Sequence, residues 1–226
     1  MPAKAGIHDL LFRGAPLMPF DITMVHTAVF ILLYIAVALA TFVIIERLIV
    51  YSFSARDARH LQLALANYRA GTPIDEKLLD RPTAPAILLK NMLLAQPRLV
   101  KRHALEDFGE AQFIDARAKL ARNVWILDTL VTAAPLLGLL GTILGIIETF
   151  SALASSGISD PAAVSRGIGT ALYATALGIS VALYGLVFFN HFTMRQDAIC
   201  EMMKAILLRA GMEASDRNAH ITELAA

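Results

Sequence analysis

The sequence predicts an all-α integral membrane protein with three transmembrane helices, and three observations carry that prediction. Hydrophobic residues make up 57% of the 226-residue chain and charged residues only 17%, against roughly 45–50% and about 25% in soluble domains. The charges are also missing in blocks. Met24 to Ile45 (22 residues) and Gly167 to Asn190 (24 residues) hold no Asp, Glu, Lys or Arg, and Val124 to Ile147 (24 residues) holds Asp128 alone. Each window is long enough to cross a hydrocarbon core of ~30 Å at ~1.5 Å per residue. Finally, three such windows in so short a chain outweigh the alternative, a set of buried core helices in a soluble protein. The single cysteine, Cys200, excludes a disulfide scaffold. With 20 basic and 19 acidic residues the net charge is +1, which leaves no whole-chain basic field for nucleic acid.

Taken in order, residues 1–23 carry only Lys4 and Arg13 and precede the first window. That window, 24–45, is longer than a signal-peptide core and ends at Glu46-Arg47 rather than at small residues, so it is expected to persist as a span. Residues 46–123 hold thirteen basic residues. They read as several short helices, broken by Gly71-Thr72-Pro73, Pro82, Pro85 and Pro97. Leu105, Phe108, Ala118 and Ala121 then keep helical period, and the pattern predicts one helix from about 101 to 155 that contains the second span, 124–147. Residues 148–166 are small and polar, with Gly157, Asp160 and Pro161 marking turns. The third span, 167–190, is predicted to run on into an amphipathic helix within 191–226 through Phe192, Ile199, Met203 and Ile206. On this reading the second and third helices are the two that extend into the cytosol. Of the 20 basic residues, 17 fall in 46–123 and 191–226. The excess of basic residues on the cytosolic side then predicts an N-terminus outside and a C-terminus inside.

Polar residues inside a span face protein or water rather than lipid. In the second span Asp128, Pro135 and Thr142, with Thr149 just beyond it, recur every seven residues. Seven residues return a helix to within about 20° of its start, so the four share a face. Gly138, Gly141 and Gly145 are small enough to let another helix approach, and Pro135 is expected to kink its helix. In the third span Ala171, Thr175, Gly178 and Ala182 form a narrow face without bulk. That face can pack against a helix or line a narrow pore. The threonines can equally well bond the carbonyl four residues back and do nothing else.

Other chemistry is missing from the sequence. The six histidines lack metal-ligand spacing, and no phosphate-binding glycine loop or nucleophile elbow is present. The chain is therefore expected to be no enzyme and to need no metal or cofactor. Any uphill transport has to draw on a gradient.

Two stretches carry a family resemblance. Ala134-Pro135-Leu136-Leu137-Gly138-Leu139-Leu140-Gly141-Thr142-Ile143-Leu144-Gly145 and Gly167-Ile168-Gly169-Thr170-Ala171-Leu172-Tyr173-Ala174-Thr175-Ala176-Leu177-Gly178 resemble the paired span motifs of the ExbB/TolQ/MotA proton-channel family, most closely the ExbB branch. The resemblance implies a ring, a homo-pentamer in that branch, in the bacterial inner membrane. The ring would enclose the single helices of two copies of an ExbD/TolR-like protein and deliver work from proton flow to a TonB- or TolA-like protein spanning the periplasm. Thr142 and Thr175 match the family's pore threonines and Pro135 its kink. Where well-studied relatives carry a glutamate in the third span this chain has Thr170, which leaves no acid between Gly167 and Asn190 and shifts proton carrying toward the partner. Glu148, near the external mouth, is read as a proton-gathering acid or a solvated helix-end acid. Asp128, near the cytosolic mouth, is read as an exit acid or as the partner of a basic residue such as Arg122 on a nearby subunit. The implied function is an ExbB-like subunit for TonB-dependent import. The alternatives are a TolQ-like subunit for envelope maintenance and a non-conducting membrane scaffold.

Overall fold

A computed structural model describes residues 22–68, 74–97, 102–156 and 160–224. The described residues fold into six helices with no strand: α1 (Ile22–Tyr68), α2 (Glu76–Leu79), α3 (Ala84–Ala95), α4 (Arg102–Ala121), α5 (Val124–Ser156) and α6 (Pro161–Leu224). Three of them, α1, α5 and α6, are long and apolar enough to cross a membrane. The chain is an all-α membrane protein. Its described residues divide into two compact units, one drawn from 22–35 and 134–180, the other from 36–133 and 181–224.

The first unit is built around small residues. Ala134 on α5 and Ala171 and Ala174 on α6 are fully buried, with Val29 and Leu33 of α1 beside them. Its large side chains point away from that centre: Ile31, Leu32, Leu136, Leu139, Ile143, Leu172 and Tyr173 are all exposed. A water-soluble domain distributes these sizes the other way round. A helix bundle in lipid gains nothing by hiding leucine, so small residues occupy the helix seam and close backbone packing holds it together.

The second unit has a conventional core. Leu61 and Leu65 of α1, Leu88 and Leu89 of α3, Leu120 of α4, Leu127 of α5 and Phe192, Ile199, Met203 and Ile206 of α6 are almost wholly buried and form one cluster. Cys200 is buried in the same cluster, and that burial pushes its thiol above the usual range. The short helices are held by local chemistry. Asp75 caps α2 by accepting from the Lys77 amide at 3.0 Å. Pro85 sits in the first turn of α3, where a missing amide hydrogen costs nothing. Thr83, at the cap of α3, gives its hydroxyl to the buried Asp57 carboxylate at 2.9 Å instead, and Arg81 binds the other oxygen of that carboxylate.

Two sequence expectations are corrected here. The single helix from 101 to 155 is interrupted. The chain ends α4 at Ala121, turns through Arg122 and Asn123, and restarts as α5 at Val124. Asn123 has φ 67°, the left-handed conformation that ends helices and that asparagine tolerates better than most residues. The freed carbonyl of Leu120 is not left bare: Arg47 Nη1 donates to it at 3.1 Å and Tyr51 Oη at 2.9 Å. Asn123 Nδ2 donates to Glu46 Oε2 at 3.2 Å, and Glu46 in turn holds Arg47. A second correction follows from the first. The two helices that run far past their apolar windows are the first, unbroken to Tyr68, and the third, unbroken to Leu224. Glu46-Arg47 ends the apolar window but not the helix, because the pair is neutralised internally and Arg47 is 2% exposed.

Candidate functional site

The first unit brings most of the singled-out residues together. Gly138 and Gly178 meet where α5 and α6 come closest. A Cβ on Gly178 would stand 2.5 Å from the Ala134 carbonyl oxygen and 3.0 Å from Gly138 Cα. One on Gly141 would stand 2.7 Å from Ala174 Cβ, and one on Gly145 2.9 Å from Ala171 Cβ. All four glycines thus serve a single seam, and the narrow face of the third span packs in it. Pro135 is half-buried one turn before Gly138, and α5 continues through it.

The seam lets two hydroxyls face each other. Thr142 Oγ1 and Thr175 Oγ1 are hydrogen-bonded directly. Thr142 Oγ1 also lies 3.1 Å from the Gly138 carbonyl and 3.2 Å from the Ala171 carbonyl, and Thr175 Oγ1 lies 3.1 Å from the same Gly138 carbonyl. Both side chains are half-buried. Two hydroxyls own two hydrogens, and each oxygen both donates and accepts. The four oxygens therefore support two complementary arrangements. Either Thr142 donates to Thr175 and Thr175 to Gly138, or Thr175 donates to Thr142 and Thr142 to the carbonyl of Gly138 or Ala171. Rotating both hydroxyls reverses the polarity of the chain without creating a charge. Other hydroxyls in the helices, those of Thr129, Thr132, Thr149, Thr170 and Ser180, bond the carbonyl four residues back on their own helix. This local bonding is the plain structural role, and only the Thr142–Thr175 pair crosses between helices among these.

A second cluster lies in the same unit. His26 Nδ1 of α1 is 3.1 Å from Glu148 Oε2 of α5. Its other nitrogen, Nε2, is buried without a hydrogen-bond partner and faces Gly145. The pair opens on a cavity of about 590 Å³ that Thr149, Asp160 and Thr170 also line. Thr170 itself is exposed and bonds the Arg166 carbonyl at 3.0 Å. Asp160 caps α6 through the Ala162 amide at 2.9 Å and sits 4.0 Å from Arg166. The sequence places His26 at the start of the first apolar window but does not name its partner. The signal was its position, a titratable residue two places inside an otherwise charge-free window.

Asp128 belongs to the second unit, where it is exposed and makes no ion pair among the described residues. Among the described residues no cluster of His, Cys, Asp or Glu has the arrangement of a metal site.

Comparison with known proteins places the chain. Residues 83–205, more than half of it, match the model of the MotA/TolQ/ExbB proton channel family. An ExbB-like biopolymer transport protein of Synechocystis is 34% identical over 173 residues, covering 72% of this chain and 80% of that protein. An ExbB homologue of Methanothermobacter thermautotrophicus is 40% identical over 96 residues, 42% of this chain but only 34% of the relative's length. A Tol-Pal system protein TolQ of Haemophilus influenzae is 27% identical over 147 residues, 65% of this chain and 64% of that protein. With these matches and three membrane-length apolar helices, the chain belongs to the MotA/TolQ/ExbB proton channel family, in its ExbB/TolQ group and most like ExbB, and is a channel-complex subunit rather than an enzyme.

Proposed function

We propose that this protein is the ring-forming subunit of an inner-membrane motor that uses the proton motive force to energise outer-membrane processes, in the manner of ExbB in TonB-dependent import. In this reading five copies surround two copies of an ExbD/TolR-like single-span protein, which acts on a TonB-like protein spanning the periplasm. Residues 1–23 and 148–166 are periplasmic. Residues 46–123 and 191–226 are cytosolic.

The observation that carries the reading is the reversible hydroxyl chain of Thr142 and Thr175. A carboxylate in lipid is costly while charged and crosses protonated or beside polar groups. A neutral pair of hydroxyls can donate to that carboxylate or accept from it, and can hold water next to it, without adding a second charge. Pro135, half-buried and without an amide hydrogen, leaves a free carbonyl on the preceding turn and gives α5 a place to bend beside the seam. A potential of ~100 mV supplies ~2.3 kcal/mol per proton, enough to bias a step of the partner helices.

Glu148, held by His26, is the proton-gathering acid at the external mouth. It shares its cavity with Thr170, so the second helix provides the carboxylate that the third lacks. Asp128, exposed and without an ion pair among the described residues, is the acid at the cytosolic mouth.

The test is proton flux into liposomes holding the chain with its ExbD-like partner. Thr142→Val and Thr175→Val each bring the flux to background while the complex still assembles, and Thr142→Ser retains it. Full flux in both valine variants removes the hydroxyl pair from the route. A TolQ-like role is the second reading, favoured by the long overlap with the Haemophilus TolQ protein. Deletion separates the two: loss of TonB-dependent growth supports the first, and a leaky outer membrane with normal import supports the second.

A further inference from the structure

His26 presents its two nitrogens to two different surroundings. Nδ1 lies 3.1 Å from Glu148 Oε2, and a carboxylate accepts only from a nitrogen that bears hydrogen. In the neutral ring this leaves the lone pair on Nε2. Nε2 is buried and, among the described residues, has no hydrogen-bond partner, a condition that in a native fold calls for a reason. It faces Gly145, 3.2 Å from where a Cβ would stand, so no side chain there blocks the nitrogen. Gly145 and His26 both belong to the wall of the cavity of about 590 Å³. The ring is the inner member of the pair, 12% exposed against 34% for Glu148. Phe30 holds it edge to face at 5.3 Å, and Phe30 in turn stacks on Tyr173 of α6 at 6.2 Å.

The charged and titratable groups around the ring are few. On α1 no Asp, Glu, Lys or Arg precedes Glu46. From α5 comes Glu148. From α6 come Asp160, which lies 4.0 Å from Arg166, and the phenol of Tyr173 behind Phe30. Glu148 is thus the charge in contact with the imidazole. It fixes the tautomer through Nδ1 and offsets the charge that a proton on Nε2 would bring. An imidazole held by a carboxylate at one nitrogen, with the other free to take and give, is built to carry protons. The route onward is short. Thr142 stands three residues from Gly145 on α5, ~4.5 Å of helix rise toward the middle of the span. Its hydroxyl lies 3.2 Å from the carbonyl of Ala171, the residue whose Cβ meets the same Gly145 position.

We infer that His26 carries the transported proton at the external mouth, with Nε2 as the acceptor and Glu148 as its counter-charge. The inference deepens the function proposed above and rests on it. On uptake an O–H bond of hydronium in the cavity breaks, an N–H bond forms at Nε2, and water is left behind. The pair passes from a net negative charge to neutrality. On release the N–H bond breaks and the proton moves toward Thr142, which restores the lone pair. The test is proton flux in liposomes holding the full-length chain with its ExbD-like partner. His26→Asn keeps an N–H for Glu148 and lacks a second ring nitrogen. It is expected to assemble with the partner and to lose at least about tenfold of the flux, since positioned proton-transfer groups contribute roughly a hundredfold or more. Imidazole added to His26→Ala restores flux, whereas pyrazole, of the same size but a far weaker base, does not. Because neutral imidazole also crosses lipid, the gain is measured against Thr142→Val liposomes given the same base. Full flux in His26→Asn, no gain with imidazole, or an equal gain with pyrazole each overturns the inference. Full flux in His26→Asn together with background flux in Thr142→Val overturns it alone and leaves the functional reading standing. Background flux in the unaltered complex overturns the functional reading and this inference with it.

Discussion

The residues with the least freedom in this chain are its smallest. At Gly178 an added methyl group meets the Ala134 carbonyl and the Gly138 backbone, neither of which can swing aside. At Gly169 nothing lies within 4 Å. Gly178→Ala is therefore expected to destabilise the unit by ~1–3 kcal/mol, as overpacked sites do, whereas Gly169→Ala is neutral or slightly stabilising. Unfolding in mixed micelles followed by circular dichroism checks the contrast, and equal stability of the two variants would refute the seam. The spacing of Gly141 and Gly145 was legible in the sequence because small residues four apart share a helix face. Which helix they meet was not legible, since one helix's pattern does not name its partner. Thr142 and Thr175 stood out by motif, yet the sequence left open whether each bonds only its own helix. His26 is visible at the start of the first apolar window, but its partner, Glu148, lies on another helix and is not legible in the sequence.

Among the elements, the junction of α4 and α5 separates what periodicity reveals from what it conceals. The apolar pattern runs through Arg122 and Asn123 without a proline or glycine, so pattern alone predicts one helix. The break depends on one residue's tolerance of positive φ and on three distant side chains, Glu46, Arg47 and Tyr51, that reach Asn123 and the nearby Leu120 carbonyl only in the folded chain. Asn123→Val is expected to cost roughly 1–2 kcal/mol for the left-handed backbone, while Asn123→Gly, which fits that backbone and loses only the bond to Glu46, costs less. Thermal denaturation of the two purified variants measures the order, and a valine variant as stable as the glycine variant would show that the turn does not depend on Asn123. By contrast, the unbroken runs of α1 and α6 follow from the absence of any proline between Ile22 and Tyr68 or between Ala162 and Leu224. Gly211 lies within α6 without ending it.

Across the whole molecule, two kinds of core sit in one chain, a seam of small residues in the first unit and a cluster that includes large side chains such as Phe192, Met203 and Ile206 in the second. That contrast was only half visible in the sequence. The apolar windows identified the membrane part, but the burial of Phe192 and Ile206 arises from contacts with residues far away in the chain. The proposed topology is testable at this scale. Ser165→Cys should react with a membrane-impermeant maleimide in intact cells with a permeable outer membrane. Lys90→Cys should react only after the inner membrane is opened. Cys200 contributes little background, being 5% exposed with its thiol pushed up by burial. Labelling of both sites in intact cells would refute the orientation. The absence of any charge between Gly167 and Asn190 also bears on how the protein is made. An acid at the centre of a nascent helix adds about 2.5–3.5 kcal/mol to its entry from the translocon, and threonine avoids that cost. With hydroxyls in the third helix and the carboxylate displaced to Glu148 near a helix end, each segment can enter the bilayer unaided, and its polar chemistry is assembled only when the helices meet.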